Sequence, residues 1–141
     1  MVDRDLVASK LGELAEYVAR VRTRRTMTAD DLRRDRDALD LVAFNLMLAV
    51  QVCADVASHV IADEGWPPAT SLGGAFERLR DKRVISGSVS EALVRAVGLR
   101  NVIAHGYGGV HPEMVHAAAT TGLADLEAFA REVATWAQGQ V

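Results

Sequence analysis

The sequence predicts an all-α fold, an up-and-down helical bundle with short additional helices. Three observations carry that expectation. Apolar residues recur in steps of three and four along most of the chain, no segment alternates apolar and polar residues as a strand does, and the glycine and proline clusters fall between the periodic segments. The chain has 141 residues, 50% hydrophobic and 25% charged, which is the size and balance of one globular domain spanning 1–141. A chain of this length buries enough surface to need no covalent staple, and its one cysteine, Cys53, cannot form an internal disulfide.

Val7, Leu11, Leu14, Val18 and Val21 mark one face of a first helix, from about Asp3 to Arg25. Thr28, followed three residues later by Asp31, has the pattern of a capped helix start. A second, longer helix is expected from there to Ala62, with Leu32, Leu39, Val42, Leu46, Val50, Cys53, Ala57 and Val60 as its stripe. A further row, Leu41, Leu48, Val52 and Val56, makes this helix apolar over a wider arc than one neighbour covers. Either the bundle encloses it completely or a second copy of the chain covers part of it.

Gly65-Trp66-Pro67-Pro68 ends that helix, because consecutive prolines remove two backbone donors and hold the chain extended. Ser71 opens a short helix through Phe76 and Leu79 to about Lys82, and Ser86-Gly87-Ser88 make the next turn. With Ser88 or Ser90 as the restart, Val89, Leu93, Ala96, Val97, Val102 and Ile103 give the apolar face of a helix from about Val89 to His105. Gly106, Gly108 and Gly109 stop it. Pro112 suits the first position of another short helix, to about Ala119. Gly122 is expected to separate it from a closing helix that carries Leu123, Leu126, Phe129, Ala130, Val133 and Trp136.

The net charge of −3 excludes a positive field over the whole surface and leaves room only for a local basic patch. The arginines from Arg20 to Arg36 lie among or just after Glu13, Glu16, Asp30, Asp31, Asp35 and Asp37, which reads as a solvated face laced with ion pairs. The opening MVDRDLVASK lacks the basic start and apolar middle of a secretory signal. Leu39 to Ala62 is interrupted by Asp40, Asn45, Gln51, Asp55 and His59, so it reads as a buried helix and not a membrane span. A cytoplasmic location with no membrane partner is the expectation.

Leu99 to Gly108 carries the chemistry. Arg100 and His105 are five residues apart, about 140° around a helix and about 7.5 Å along it, so one helix makes a poor dyad. Two copies related by a twofold axis near this helix end would place both arginines and both histidines around one cleft. His105, in the last helical turn among unsatisfied carbonyls, suits proton transfer. Arg100 offers a permanently charged, planar fork that matches a phosphate gaining charge. Metal-free RNA cleavage needs those two roles, because the ribose 2′-hydroxyl supplies the nucleophile. The structural alternative is a helix-capping histidine and a surface arginine. Cys53, His111 and His116 give no metal-ligand spacing, and the glycines at 106, 108 and 109 follow a helix where a phosphate loop precedes one, so no metal or cofactor is expected.

Arg100-(four residues)-His105-Gly106-Tyr107 resembles the R-x4-H-x-Y signature of HepT-like HEPN proteins, with Asn101 directly after the arginine as HEPN motifs commonly have. The similarity extends to the paired long N-terminal helices, the Gly-Trp-Pro-Pro loop before a Phe-containing short helix, the Leu99 entry and the final Leu-x-x-Phe helix. The resemblance implies a homodimeric endoribonuclease toxin that cuts cellular RNA through a composite R-x4-H site. It also implies a cognate MNT-type nucleotidyltransferase antitoxin that silences the toxin by AMPylation of the motif tyrosine, here Tyr107; an anionic nucleotide there would block the cleft and repel an RNA phosphate. Asn101 and Asp55 are the supporting residues, Asp55 either orienting Arg100 or His105 across the bundle or pairing with His59 one turn on. With an acidic chain, the RNA path falls to local arginines, Arg95 and Arg100 with Arg78, Arg80 and Arg83. The alternative is a non-catalytic helical accessory or substrate-binding subunit of a nucleotidyltransferase, its Arg–His pair gripping a nucleotide phosphate.

Overall fold

Six helices and no strand make up the described residues, 1–24, 28–106 and 110–139, of the computed structural model. They are α1 (Arg4–Arg24), α2 (Ala29–Arg34), α3 (Arg36–Asp63), α4 (Leu72–Asp81), α5 (Gly87–His105) and α6 (Pro112–Gln138). The central element is α3, which packs against all five others. Its expected stripe, Leu39, Val42, Leu46, Val50, Cys53, Ala57 and Val60, is buried throughout. Among the described residues α3 is the one helix long and apolar enough to cross a membrane, and most of its apolar window lies inside the bundle.

The expected second helix is two helices. Asp35, at φ −117° and ψ 90°, is at once the C-cap of α2 and the N-cap of α3, its side chain accepting from the Ala38 backbone N–H at 3.1 Å. The break leaves no trace in the periodicity because Leu32 and Leu39 are seven residues apart, about two turns, and both stay on the buried side. Thr28 does cap α2: its hydroxyl accepts from Asp31 N–H and the Asp31 carboxylate accepts from Thr28 N–H, both at 3.1 Å.

The short helix expected to end near Ala119 and the closing helix are one, and Gly122 lies inside α6. A mid-helix glycine costs about 1 kcal/mol relative to alanine. Here Val115, Ala119, Leu123, Leu126, Phe129 and Val133 are buried on a single period that runs straight through it, and that packing outweighs the local preference. The start of α5 also lies earlier than expected, at Gly87. Ser86 is the cap, its Oγ accepting from Val89 N–H at 3.3 Å, while its own N–H and Oγ donate to the Glu132 carboxylate at 2.6 and 3.1 Å. The sequence could not show that a carboxylate from α6 would fix the cap two residues ahead of Ser88.

In α4, Ser71 caps the start by accepting from Gly74 N–H at 3.0 Å. The other end closes with Val84 N–H donating to Leu79 O and Arg83 N–H to Arg80 O, both at 2.9 Å. That closure puts Arg83 at φ 59°, in the left-handed region where glycine is the usual residue.

Phe76 of α4 and Phe129 of α6 meet edge to face at the centre, with ring centroids 5.7 Å apart. Cys53 is fully buried in the same core, and burial pushes its thiol far above the usual range. The ion-paired face exists, with partners both near in sequence, as in Arg34–Asp31 and Arg36–Asp40, and far from it. Arg22 grips Glu127 of α6 through both terminal nitrogens, holding Glu127 below the usual carboxylate range, and Arg33 bridges Asp30 and Glu113. Both forks tie the N-terminal helices to α6 from the solvent side, where each pair contributes about 1 kcal/mol or less.

Candidate active site at the end of α5

The two halves of α5 differ. Val89, Ser90, Ala92 and Leu93 are buried, and no residue of α5 beyond Leu93 is. Val97, Leu99, Arg100, Val102 and Ile103 are half-buried, and Val94, Asn101, Ala104 and His105 are exposed. The helix stops at Gly106, whose φ of 65° and ψ of 6° suit glycine, with its N–H donating to Val102 O at 3.0 Å. His105 is therefore the last helical residue, displayed at an exposed terminus.

Arg100 turns inward. Its Nη2 donates to Gln51 Oε1 of α3 at 2.8 Å and its Nη1 to the neighbouring Asn101 Oδ1 at 3.0 Å, while its Nε is buried without a hydrogen-bond partner. Gln51 is itself held, its Nε2 donating to Asp55 Oδ1 at 3.2 Å one turn along α3. The structure thus joins Asp55, Gln51, Arg100 and Asn101 in one chain of hydrogen bonds. Asp55 reaches Arg100 only through Gln51, and it forms no ion pair with His59. A guanidinium held by two oxygen acceptors keeps one N–H on each terminal nitrogen for other partners, its Nε being buried.

Gln51 is the residue that sequence reasoning missed. It registered only as an interruption of an apolar run, although its spacing from Asp55, four residues, is the one that places two polar groups on one helix face. His105 stands about 140° around α5 from Arg100, so the two do not share a face of that helix. Tyr107 lies outside the described residues. The expected arginine path divides: Arg95 lines a groove between α5 and α6, Arg78 has its Nε buried and unpartnered, and Arg80 and Arg83 open onto a different surface. Among the described residues, no group of three or more His, Cys, Asp or Glu is placed to hold a metal ion.

The surface beside Arg100 is apolar. On α3, Leu41, Phe44, Leu48, Gln51 and Asp55 recur in steps of three and four; Phe44 is 54% exposed, Leu41 is 38% exposed and Leu48 is half-buried. Val52 and Val56 of the second expected row are buried. The wide apolar arc of α3 is thus enclosed at its C-terminal half and open at its N-terminal half. Across from it, Val94, Val97 and Ala104 give α5 an apolar row of its own next to Arg100 and Asn101.

This is a helical bundle of the HEPN kind, with an arginine and a histidine on the last turns of one helix. A family profile described as Ribonuclease HepT-like matches residues 14–133, and the chain belongs to that family. It is 24% identical over 125 residues to the mRNA nuclease HepT of Shewanella oneidensis, a match covering 89% of this chain and 93% of that protein. Among solved structures, it resembles a chain of a toxin–antitoxin crystal structure with AMP-PNP, with TM-score 0.86 and 22% identity over 93% of this chain and 98% of that one. It also resembles a chain from the complex of tri-AMPylated Shewanella oneidensis HEPN toxin with MNT antitoxin, with TM-score 0.85 and 23% identity over 96% and 99% of the two chains.

Proposed function

We propose that this chain is a metal-independent endoribonuclease toxin that works as a homodimer, with Arg100 and His105 of both protomers around one cleft. The observation that carries the proposal is the fixed guanidinium of Arg100, bonded to Gln51 and Asn101 at the edge of two exposed apolar rows. An arginine that only decorated a surface would need no such support. The rows on α3 and α5 supply the apolar core that a symmetric interface requires, and such an interface brings Arg100 of one copy towards His105 of the other.

In the reaction, the RNA 2′-oxygen forms a bond to phosphorus as the bond to the 5′-oxygen breaks. One imidazole accepts the 2′-hydroxyl proton and an imidazolium donates a proton to the departing 5′-oxygen. Arg100 faces the equatorial oxygens with the remaining N–H groups of its two terminal nitrogens. Asn101, Gln51 and Asp55 are positioning residues. The cognate MNT-type nucleotidyltransferase silences the cleft by adding AMP to Tyr107, two residues beyond His105, where the added phosphate charge repels RNA.

The test is to incubate purified, unmodified protein with RNA in excess chelator. Products ending in 2′,3′-cyclic phosphate and 5′-hydroxyl are expected; intact RNA would favour the accessory subunit of a nucleotidyltransferase. A second measurement addresses Gln51. A hydrogen bond to a charged group is worth about 1.5–3 kcal/mol. Gln51→Leu is therefore expected to lower kcat about 10-fold with little change in KM, whereas Gln51→Glu, which keeps an acceptor for Arg100, retains most of the rate.

A further inference from the structure

A second basic surface lies at the opposite end of α5 from His105. Arg80, Arg83 and Arg131 open onto one shallow basin of about 790 Å³, walled also by Thr135, Trp136 and the Ser86–Gly87 turn. All three arginines are exposed; the Arg83 guanidinium is in no ion pair with a described residue, and Arg131 acts at longer range on Glu127, whose carboxylate is already gripped by Arg22. Glu132 is the acid in the basin, and its carboxylate is already taken up by the N–H and hydroxyl of Ser86. Asp81 offsets Arg80, and Lys82 stands nearby over the Trp66 ring, 5.5 Å from its centroid. In a chain of net charge −3, this cluster of cations is a local basic patch.

Arg83 gives the basin its direction. It occupies the left-handed position that closes α4, at φ 59°, where glycine fits without strain. An arginine kept at such a position, with its guanidinium unused within the fold, points to a task outside it. The Trp136 wall narrows the choice of ligand. An indole beside guanidinium groups offers a stacking surface to a base and cationic contacts to the phosphates on either side of it. The indole also packs on Trp66 with ring centroids 6.1 Å apart, so only the part of it that lines the basin is open to a base, and an acidic protein face would use the cations alone.

We infer that the basin of Arg80, Arg83, Arg131 and Trp136 is a second binding site for single-stranded RNA, holding substrate remote from the scissile bond. The inference rests on the ribonuclease reading above and deepens it. Helix α5 separates the basin from His105 by about 27 Å, so one strand engages both only if it is several nucleotides long. Long RNA is therefore retained by the basin while short RNA meets the cleft alone, which is how an acidic chain gains affinity for a polyanion without an overall positive field.

The experiment uses the His105→Ala protein, whose cleavage is expected to be slow on the timescale of a binding measurement, and fluorescent oligouridylates of about 20 and about 4 nucleotides. Arg83→Glu with Arg131→Glu is expected to weaken binding of the long oligomer about 10-fold or more and to reduce its salt slope by about 1.4, two phosphate contacts at about 0.7 each. Binding of the short oligomer stays as in the parent. Arg83→Gly alone is expected to raise the Tm and yet weaken binding of the long oligomer, a combination that damage to the fold does not produce. Equal affinity of parent and variants for the long oligomer, or no binding of it by the parent, overturns the inference. The two readings also fail separately. If wild-type protein leaves RNA intact while the variants lose binding, the nuclease assignment falls and the basin stands; if wild-type protein cuts RNA and the variants bind as the parent does, only the basin falls.

Discussion

Replacing His105 with alanine is expected to reduce RNA cleavage about 10²–10⁴-fold, the usual contribution of a positioned acid–base group. The fold should be indifferent. His105 is exposed at the end of α5, and the helix is closed by Gly106 N–H on Val102 O. Arg100→Ala is expected to cause a comparable loss of rate with a different signature. It removes charge from the transition state and leaves the Gln51 and Asn101 oxygens without their donor, so its effect falls on kcat and is not recovered by changing pH. Activity measured against product ends and against Tm separates the two. A His105→Ala protein that cuts at the wild-type rate would remove the imidazole from the chemistry.

Phe44→Glu is expected to convert the proposed dimer to monomers and to abolish cleavage although Phe44 lies seven residues before Gln51 and takes no part in the proposed reaction. Phe44 is the most exposed aromatic side chain of the α3 row, and a carboxylate facing its own symmetry mate places two like charges in an apolar contact. In sedimentation the variant should run as a monomer at concentrations where the parent is dimeric, with an unchanged helical spectrum. Mixing His105→Ala with Arg100→Ala protein gives the complementary result: mixed dimers retain one intact arginine and one intact histidine across the interface, so partial activity returns. Dimeric Phe44→Glu protein, or a mixture as inert as its components, would place the site within a single protomer.

The parts of the fold that follow from helical periodicity were legible in the sequence, and the parts that depend on a partner from another element were not. The stripe from Leu39 to Val60 and the helix end at Gly106 could be read directly, because burial and a left-handed glycine leave local marks. The break at Asp35 was hidden because it preserves the apolar phase. The start of α5 was misplaced because Glu132, far along the chain, decides which serine is the cap. Gly122 reads locally as a helix break, and the row of buried side chains on α6 outweighs that local cost. At the candidate site the same division holds. Arg100 and His105 were visible from the motif, and Asn101 from its adjacency, but the glutamine between Asp55 and Arg100 appeared only once α3 and α5 were packed together.

The enclosure of Cys53 has a practical consequence. A sulfhydryl that is fully covered and held in its neutral form is slow to meet maleimides or oxidants, so the natural chain already serves as its own unreactive background. A cysteine introduced on the α3 row or beside the arginine basin would carry a dye or spin label alone, and distances across the assembly become measurable without first removing a residue from the interior.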